Sequence, residues 1–316
     1  MDKKPPLIIL SGPTAVGKTS LSVEFAIKED LEIISADSAQ VYRGMDIGSA
    51  KITDEEKKGV PHFLIDVCDI SEDYSAFRFK EMAESAMDEI YSKGKIPMVV
   101  GGTGFYIQAL LKGVEFDDDG PDEEYRSSLE ALVSDKGEEF LHDMLKEIDP
   151  ESAEKIPSGN VKRVIRALEY HHLTGKKISE HNKTESLKEP VYNGVYFVLM
   201  DDREKIYKRI DERVDEMISL GLEKEVRRLL DDGADPSFVS MQAIGYKEMI
   251  PYIKGKISLE EAVYQIKLRT RHFAKRQITW YKREPDICMI KVNEFDYDKE
   301  KICTFMSEEC RKRGIL

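Results

Sequence analysis

The sequence has few cysteines, no long apolar run and no surplus of positive charge. Its 316 residues include four cysteines, Cys68, Cys288, Cys303 and Cys310. None forms a Cys-x-x-Cys pair, and no histidine stands at zinc-ligand spacing beside them. This argues against a structural zinc site and for reduced thiols. No apolar stretch approaches the roughly 18 residues that a membrane-spanning helix needs. The opening "MDKKPPLIILSGP" has only four consecutive apolar residues, too few for a secretory signal. A soluble, cytoplasmic protein is therefore expected. The formal net charge is −13. Such a chain does not attract polyanions as a whole, so any nucleic-acid contact must rest on local basic faces. Internal repeats and low-complexity tracts are also missing.

The patterning that is present is globular, with 41% hydrophobic and 34% charged residues. "LIIL" (7–10), "LEIISAD" (31–37), "HFLIDV" (62–67) and "IPMVVGGTG" (96–104) read as buried strands. "KTSLSVEFAIKE" and "YSAFRFKEMAESAMDEIYSKG" between them carry helical spacing. Strands alternating with helices predict an α/β fold, a parallel sheet with helices on both faces. From Val114 to Asn193 the strand signal disappears. "FDDDGPDEEY" (116–125) reads as an acidic linker, and the segments that follow read as helices. A strand returns at "GVYFVLMDD" (194–202), followed by charged helices and a last strand, "DICMIKV" (286–292). The expected organisation is an α/β core over 1–113 and 194–316, interrupted by an all-helical insertion over 114–193.

"SGPTAVGKTS" (11–20) lies between the first strand and the first helix. Gly12, Gly17, Lys18 and Thr19 match G-x-x-x-x-G-K-[ST] in full, with Pro13, Thr14, Ala15 and Val16 between the glycines. Glycines let backbone N–H groups turn toward anionic oxygens, and the helix N-terminus adds its positive end. Lys18 can reach terminal phosphate oxygens, and Thr19 can ligate Mg²⁺. The loop announces bound phosphates and a P-loop NTPase-like core, but names no reaction. ATP is one candidate for the bound phosphate compound.

Ligands of open parallel sheets sit outside the carboxyl ends of the strands. Asp37, Asp66 and Thr103 stand at three such ends, and spacing alone does not choose between the two aspartates. "DSAQVYRGMDIGSAK" (37–51) is polar and aperiodic, as a site-lining loop would be. Arg209 and Arg213, four apart, share a helix face and could clamp a diphosphate. The plainer alternative is a solvated face paired with Asp211, Glu212 and Asp215.

One segment departs from the acidic balance. "AVYQIKLRTRHFAKRQITWYKR" (262–283) carries seven Lys and Arg residues and no acid. On a helix, Val263, Ile266, Thr270, Phe273, Ala274, Gln277, Ile278 and Tyr281 fall on one side, and Arg269, Arg271, His272, Lys275, Arg276 and Arg283 on the other, with Leu268 as the misfit. "NVKRVIR" (160–166) is a second, smaller basic cluster. Two basic elements on a phosphate-loop protein suggest a polyanionic second substrate.

Together, "GPTAVGKT", "ISADSAQVYRGMDIGSAK", "GGTGFYI", "VKRVIRALE", "MQAIGYKE" and "RTRHFAKRQITWYKR" strongly resemble the tRNA dimethylallyltransferases, also called tRNA isopentenyltransferases, in their bacterial form. The resemblance runs over about residues 7–285, in order and spacing. It implies transfer of a dimethylallyl group from its diphosphate to N6 of the adenosine on the 3′ side of the anticodon. The family's fold, a phosphate-loop core with a helical insertion, agrees with the break described above. The resemblance also implies roles for particular residues. Lys18 and Thr19 would bind the diphosphate and its Mg²⁺. Asp37 would accept the N6 proton, Thr103 would hold the flipped adenine, and Arg213 would contact the diphosphate. The tRNA would be met by Asp37, Ser38, Ala39, Gln40 and Thr103, and by Lys162, Arg163 and Arg166 of the insertion. Gln242, Gly245, Tyr246 and Lys247, and Lys275, Arg276, Gln277 and Trp280, would complete its contacts. The implied partners are tRNA and dimethylallyl diphosphate, with no membrane and a monomeric enzyme as the expectation. The main alternative is a nucleoside or small-molecule kinase using ATP, which leaves both basic elements unexplained. A non-enzymatic RNA-binding switch would need no catalytic Asp37.

Overall fold

The computed structural model describes residues 4–116 and 122–316. The middle of the acidic stretch expected to be a linker, 117–121, lies outside the described residues. The chain forms two compact units, Met1–Leu111 with Val191–Leu316, and Lys112–Pro190.

The first unit begins with β1 (Pro6–Ser11), α1 (Lys18–Glu29), β2 (Glu32–Ala36), α2 (Asp54–Lys57), β3 (His62–Phe63), α3 (Ala76–Ser92), β4 (Pro97–Gly101) and α4 (Gly104–Leu111). The second unit holds α5 (Glu123–Lys136), α6 (Glu138–Ile148), α7 (Pro150–Lys155), α8 (Val161–Thr174) and α9 (Ile178–Leu187). The first unit then resumes with β5 (Asn193–Met200), α10 (Arg203–Leu220), α11 (Leu222–Asp231), α12 (Tyr246–Ile253), α13 (Leu259–Tyr281), β6 (Ile287–Lys291) and α14 (Lys299–Lys312). Among the described residues, no helix is long and apolar enough to cross a membrane.

The six strands form one sheet in the order β3-β2-β4-β1-β5-β6, and every neighbouring pair is parallel. Strand β1 is central, with Ile9 opposite Val99 of β4 on one side and Tyr196 of β5 on the other. Leu7, Ile8, Ile9 and Leu10 are all fully buried. Side chains alternate along a strand, so both faces of the sheet are covered there, and a continuous apolar run is what such a strand requires. This order places the loop after β1 between the ends of β4 and β5.

Strand β3 is shorter than the run "HFLIDV" suggests. Leu64 and Asp66 adopt positive φ, 63° and 55°, which ends the extended pairing after Phe63. Asp66 therefore sits in a loop rather than at a strand end. Its carboxylate pairs with Lys51 at 2.5 Å.

In the second unit, α5, α6, α7 and α8 close around Leu129, Leu141, Leu145, Val164 and Leu168. Glu169 is buried among them, and Arg126 and Arg166 both bind its carboxylate. Asp149 caps α7 through Ser152 and reaches across to the N–H and hydroxyl of Ser179 at the start of α9.

Candidate active site

Helix α1 opens differently from its neighbours. Thr53, Ser75 and Ser258 cap α2, α3 and α13 with side-chain oxygens. Helix α1 is preceded by Gly17 in the left-handed conformation, with no side-chain cap and no acid in its first turn. Its first N–H groups are left for an external anion. Gly12 has a φ of 146°, and a Cβ there would lie 2.6 Å from the carbonyl oxygen of Leu199. Only glycine fits at this turn.

Lys18 folds back over the loop, its ammonium donating to the carbonyls of Gly12 and Pro13, both at 2.9 Å. Burial pushes its pKa down to about 8, against an upward pull from the Asp37 carboxylate and a further push from Arg213. Burial likewise lowers the Arg213 pKa, and Asp37 again acts in the opposite direction. A lysine, an arginine and a carboxylate thus share one electrostatic site. Lys18, Thr19 and Arg213 line a cavity of roughly 320 Å³ together with Glu24 and Glu56. Arg209, which shares the helix face, is absent from this lining. It forms an ion pair with the buried side chain of Asp201, so the expected pair of clamping arginines reduces to Arg213.

Asp37 follows β2 directly. Its Oδ1 accepts the N–H groups of Ala39 and Gln40 at 2.9 and 3.3 Å, which fixes the carboxylate on its own loop. Its Oδ2 has no hydrogen bond among the described residues. Thr103 follows β4, and its N–H donates to Ala36 O at 3.3 Å, placing the turn beside the end of β2. Its hydroxyl is likewise unengaged among the described residues. Of the two aspartates that spacing left open, only Asp37 acts on Lys18. Asp66 is taken up by Lys51.

A family model, IPP transferase, matches residues 40–284. The chain is 53% identical over 311 residues to the tRNA dimethylallyltransferase of Lachnoclostridium phytofermentans, covering 98% of this chain and 99% of that protein. This chain belongs to the IPP transferase family. The tRNA dimethylallyltransferase of Acetivibrio thermocellus is 48% identical, covering 94% and 95%. Among solved structures, the full-length tRNA isopentenylpyrophosphate transferase of Bacillus halodurans is 42% identical, with a TM-score of 0.74 and 98% of each chain covered. A eukaryotic dimethylallyltransferase in structures described as acting on tRNA is 31% identical, with a TM-score of 0.77, over 91% of this chain and 74% of that one. These relatives support the P-loop α/β fold and the prenyltransferase reading, and give no support to the kinase alternative.

The tRNA contacts implied by the family resemblance divide into exposed and interior residues. Ser38, Gln242, Lys247, Lys275 and Arg276 are exposed, as are Lys162 and Arg163 on the second unit. Lys275 and Arg276 line an open groove of roughly 610 Å³ with His272, Trp280 and Arg283. Arg166 is exposed but bound to Glu169, so its charge is partly neutralised. Gln40 turns inward, its amide donating to the carbonyls of Ser49 and Ala50.

Tyr246 and Gln277, two of the residues that the resemblance sets against tRNA, lie in the interior of this structure. Tyr246 is fully buried, its hydroxyl donating to Glu225 at 2.6 Å. Gln277 is buried against the phosphate loop. Gly245 is also buried and serves the backbone, with a φ of 101° at the start of α12. Trp280 packs its indole N–H against Gly104, where a Cβ would approach to 2.4 Å.

The outward face of the basic helix also needs correction. Arg271 forms a bidentate pair with Asp211, and Lys267 pairs with Asp215, both on α10. These cations hold two helices together, and the groove keeps Lys275, Arg276 and Arg283.

Glu225 gave no signal in the sequence. It lies in the charged helix "LEKEVRRLLD", yet its carboxylate is buried and accepts the N–H groups of Asp46, Ile47 and Gly48. A Glu between Lys224 and Val226 looks like a solvated position. Only the fold reveals that the 46–48 loop turns three donors onto it.

Proposed function

We propose that this protein transfers a dimethylallyl group from dimethylallyl diphosphate to N6 of the adenosine 3′-adjacent to the anticodon of tRNA. The observation that carries the reading is the placement of Asp37 and Arg213 around Lys18, at the end of the central strands. A kinase would share the loop. An acceptor carboxylate whose charge acts on the loop lysine, with an open basic groove on the same unit, suits a nucleic-acid nucleophile better.

In the proposed reaction the bond between the allylic carbon and the diphosphate oxygen breaks as the bond from N6 to that carbon forms. The N6 proton passes to Asp37 Oδ2, and diphosphate leaves. Adenine N6 is a weak nucleophile, its lone pair being shared with the ring. A positioned base typically contributes about 10²–10⁴-fold in rate. The Thr103 hydroxyl, beside the end of β2, would hold the extruded base. Lys18 would leave the carbonyls of Gly12 and Pro13 for the diphosphate. Together with Arg213 and the free N–H groups of α1, it would stabilise the departing charge.

Mg²⁺ is the implied metal. Among the described residues, no group of three or more His, Cys, Asp and Glu could hold a metal ion. A sparse oxygen site at Thr19 fits a hard cation that draws its other ligands from phosphate and water. Bound there, it would neutralise diphosphate charge.

The test is incubation with dimethylallyl diphosphate, Mg²⁺ and unmodified tRNA. The expected result is a gain of one five-carbon unit at the adenosine next to the anticodon. Unmodified tRNA alongside phosphoryl transfer from ATP would overturn the reading.

A further inference from the structure

Two polar side chains on the buried side of α13, one turn apart, end at the carboxyl edge of the sheet. Gln277 Oε1 accepts the N–H of Thr14 at 2.9 Å, and its Nε2 donates to Gly102 O at 2.9 Å. Tyr281 Oη lies 2.7 Å from Ser11 Oγ. The single Ser11 hydroxyl proton goes to Gly101 O at 2.6 Å, so Tyr281 is the donor to Ser11. Thr14 and Ser11 belong to the phosphate loop and its strand. Gly101 and Gly102 lead into Thr103. The two side chains therefore clasp the loop that would hold the diphosphate to the turn that would hold the adenine.

The chemistry of this clasp is selective. Its two partners are an N–H and a carbonyl, so the residue between them must accept on one side and donate on the other. A carboxylate would accept from Thr14 but repel Gly102 O, and a lysine or arginine would do the reverse. Asparagine is one methylene shorter. The fit is also tight. A Cβ at position 102 would lie 2.3 Å from Gln277 Nε2, so the amide rests directly on glycine backbone.

We propose that Gln277 is a positioning residue for the transfer reaction, setting the distance between the phosphate loop and the Thr103 turn through Thr14 N–H and Gly102 O. This rests on the transfer reading above. The allylic carbon is carried by the diphosphate, and N6 by the adenine. Their separation in the ground state follows the separation of loop and turn. A misplacement of about 1 Å between reacting atoms can cost on the order of 10²-fold in rate. Tyr281 supports the same contact one turn further along. Arg276, next to Gln277 in sequence, faces the open groove instead.

The test compares Gln277→Met, Tyr281→Phe and Arg276→Ala with the unaltered protein. For Gln277→Met, the expected result is a kcat lower by ~10–10²-fold, with KM for tRNA and for dimethylallyl diphosphate within about threefold. Hydrogen–deuterium exchange should quicken in peptides covering 11–17 and 101–103. Arg276→Ala should show the opposite division, a raised KM for tRNA with kcat retained at saturation. If Gln277→Met keeps kcat and raises only KM for tRNA, Gln277 is a tRNA contact and the proposal fails. It also fails if only the melting temperature falls, or if exchange in both peptides is unchanged. Should the Met variant not fold, Gln277→Glu retains the Thr14 contact and loses Gly102. It should then quicken exchange at 101–103 more than at 11–17, and equal change in both would overturn the assignment. If the unaltered protein leaves tRNA unmodified, the transfer reading falls, and the exchange data still decide whether the clasp exists.

Discussion

The hydroxyl of Tyr246 donates to Glu225 Oε1 at 2.6 Å, inside a carboxylate site that also receives the N–H groups of Asp46, Ile47 and Gly48. Burial, followed by the neighbouring Glu225 charge, pushes the phenol pKa far above its usual value, so Tyr246 stays a donor at all ordinary pH. Glu225 fixes the loop that leads away from Asp37. Replacing it with alanine leaves three backbone donors and the phenol proton without their acceptor. Glu225→Ala should lower stability by on the order of 3 kcal/mol, and Tyr246→Phe by about 1 kcal/mol. Urea unfolding measures both. Tyr246→Phe should leave the salt dependence of tRNA binding unchanged, because the ring is buried.

Asp37 offers a cleaner test of catalysis than a truncation would. Asparagine keeps an oxygen for the N–H groups of Ala39 and Gln40, so the loop should persist. It cannot take a proton from N6. Asp37→Asn is expected to reduce single-turnover transfer by about 10²–10⁴-fold while binding tRNA as the unaltered protein does. A non-catalytic RNA-binding switch predicts no functional loss, and transfer at the normal rate would remove Asp37 as the base.

Lys18 gives a pH dependence whose sign follows from its surroundings. Its pKa is about 8 in the free protein. A bound diphosphate stabilises the ammonium and raises that value, so the complex binds more protons than the free protein. Affinity for dimethylallyl diphosphate is therefore fully present below about 8. It is lost as pH rises from there toward the pKa of the complex. Titration calorimetry on either side of this value should show weaker binding on the alkaline side. Lys18→Arg, which keeps its charge throughout, should abolish that trend.

Much of this fold can be read from local pattern, and the failures have physical causes. Strands β1 and β4 hold unbroken apolar runs because both faces of the sheet are covered, and β2 is buried throughout although it carries Glu32 and Ser35. Strand β3 looks equally apolar, yet left-handed residues at Leu64 and Asp66 end it early. Helix α7 begins on Pro150 and α12 contains Pro251, which masks both in a reading based on periodicity. In the site, the phosphate loop is legible because glycine spacing and a following helix encode it locally. Gln277 and Tyr246 are not, since a polar residue gives no sign of whether its partner is solvent, RNA or an interior carbonyl. Charge is no better guide. Arg271 and Arg276 look alike in "RTRHFAKR", and only the position of Asp211 on α10 separates them.

That separation leads to the last prediction. Arg271 holds Asp211 through Nε and Nη2, at 2.7 to 2.9 Å. Arg276 has no ion pair among the described residues and lies over the Phe273 ring at the edge of the open groove. A cation already paired in the protein releases no counterions when RNA binds, whereas an unpaired one does. Arg276→Ala should weaken tRNA binding and reduce the slope of log K against log salt by about 0.7–0.9. Arg271→Ala should leave that slope intact and destabilise the packing of α10 on α13 by up to about 1 kcal/mol, as a part-exposed pair allows. Binding measured over a salt series, with melting temperatures of the same variants, distinguishes the two roles. A reduced slope for Arg271→Ala would mean that the pair with Asp211 opens to meet phosphate.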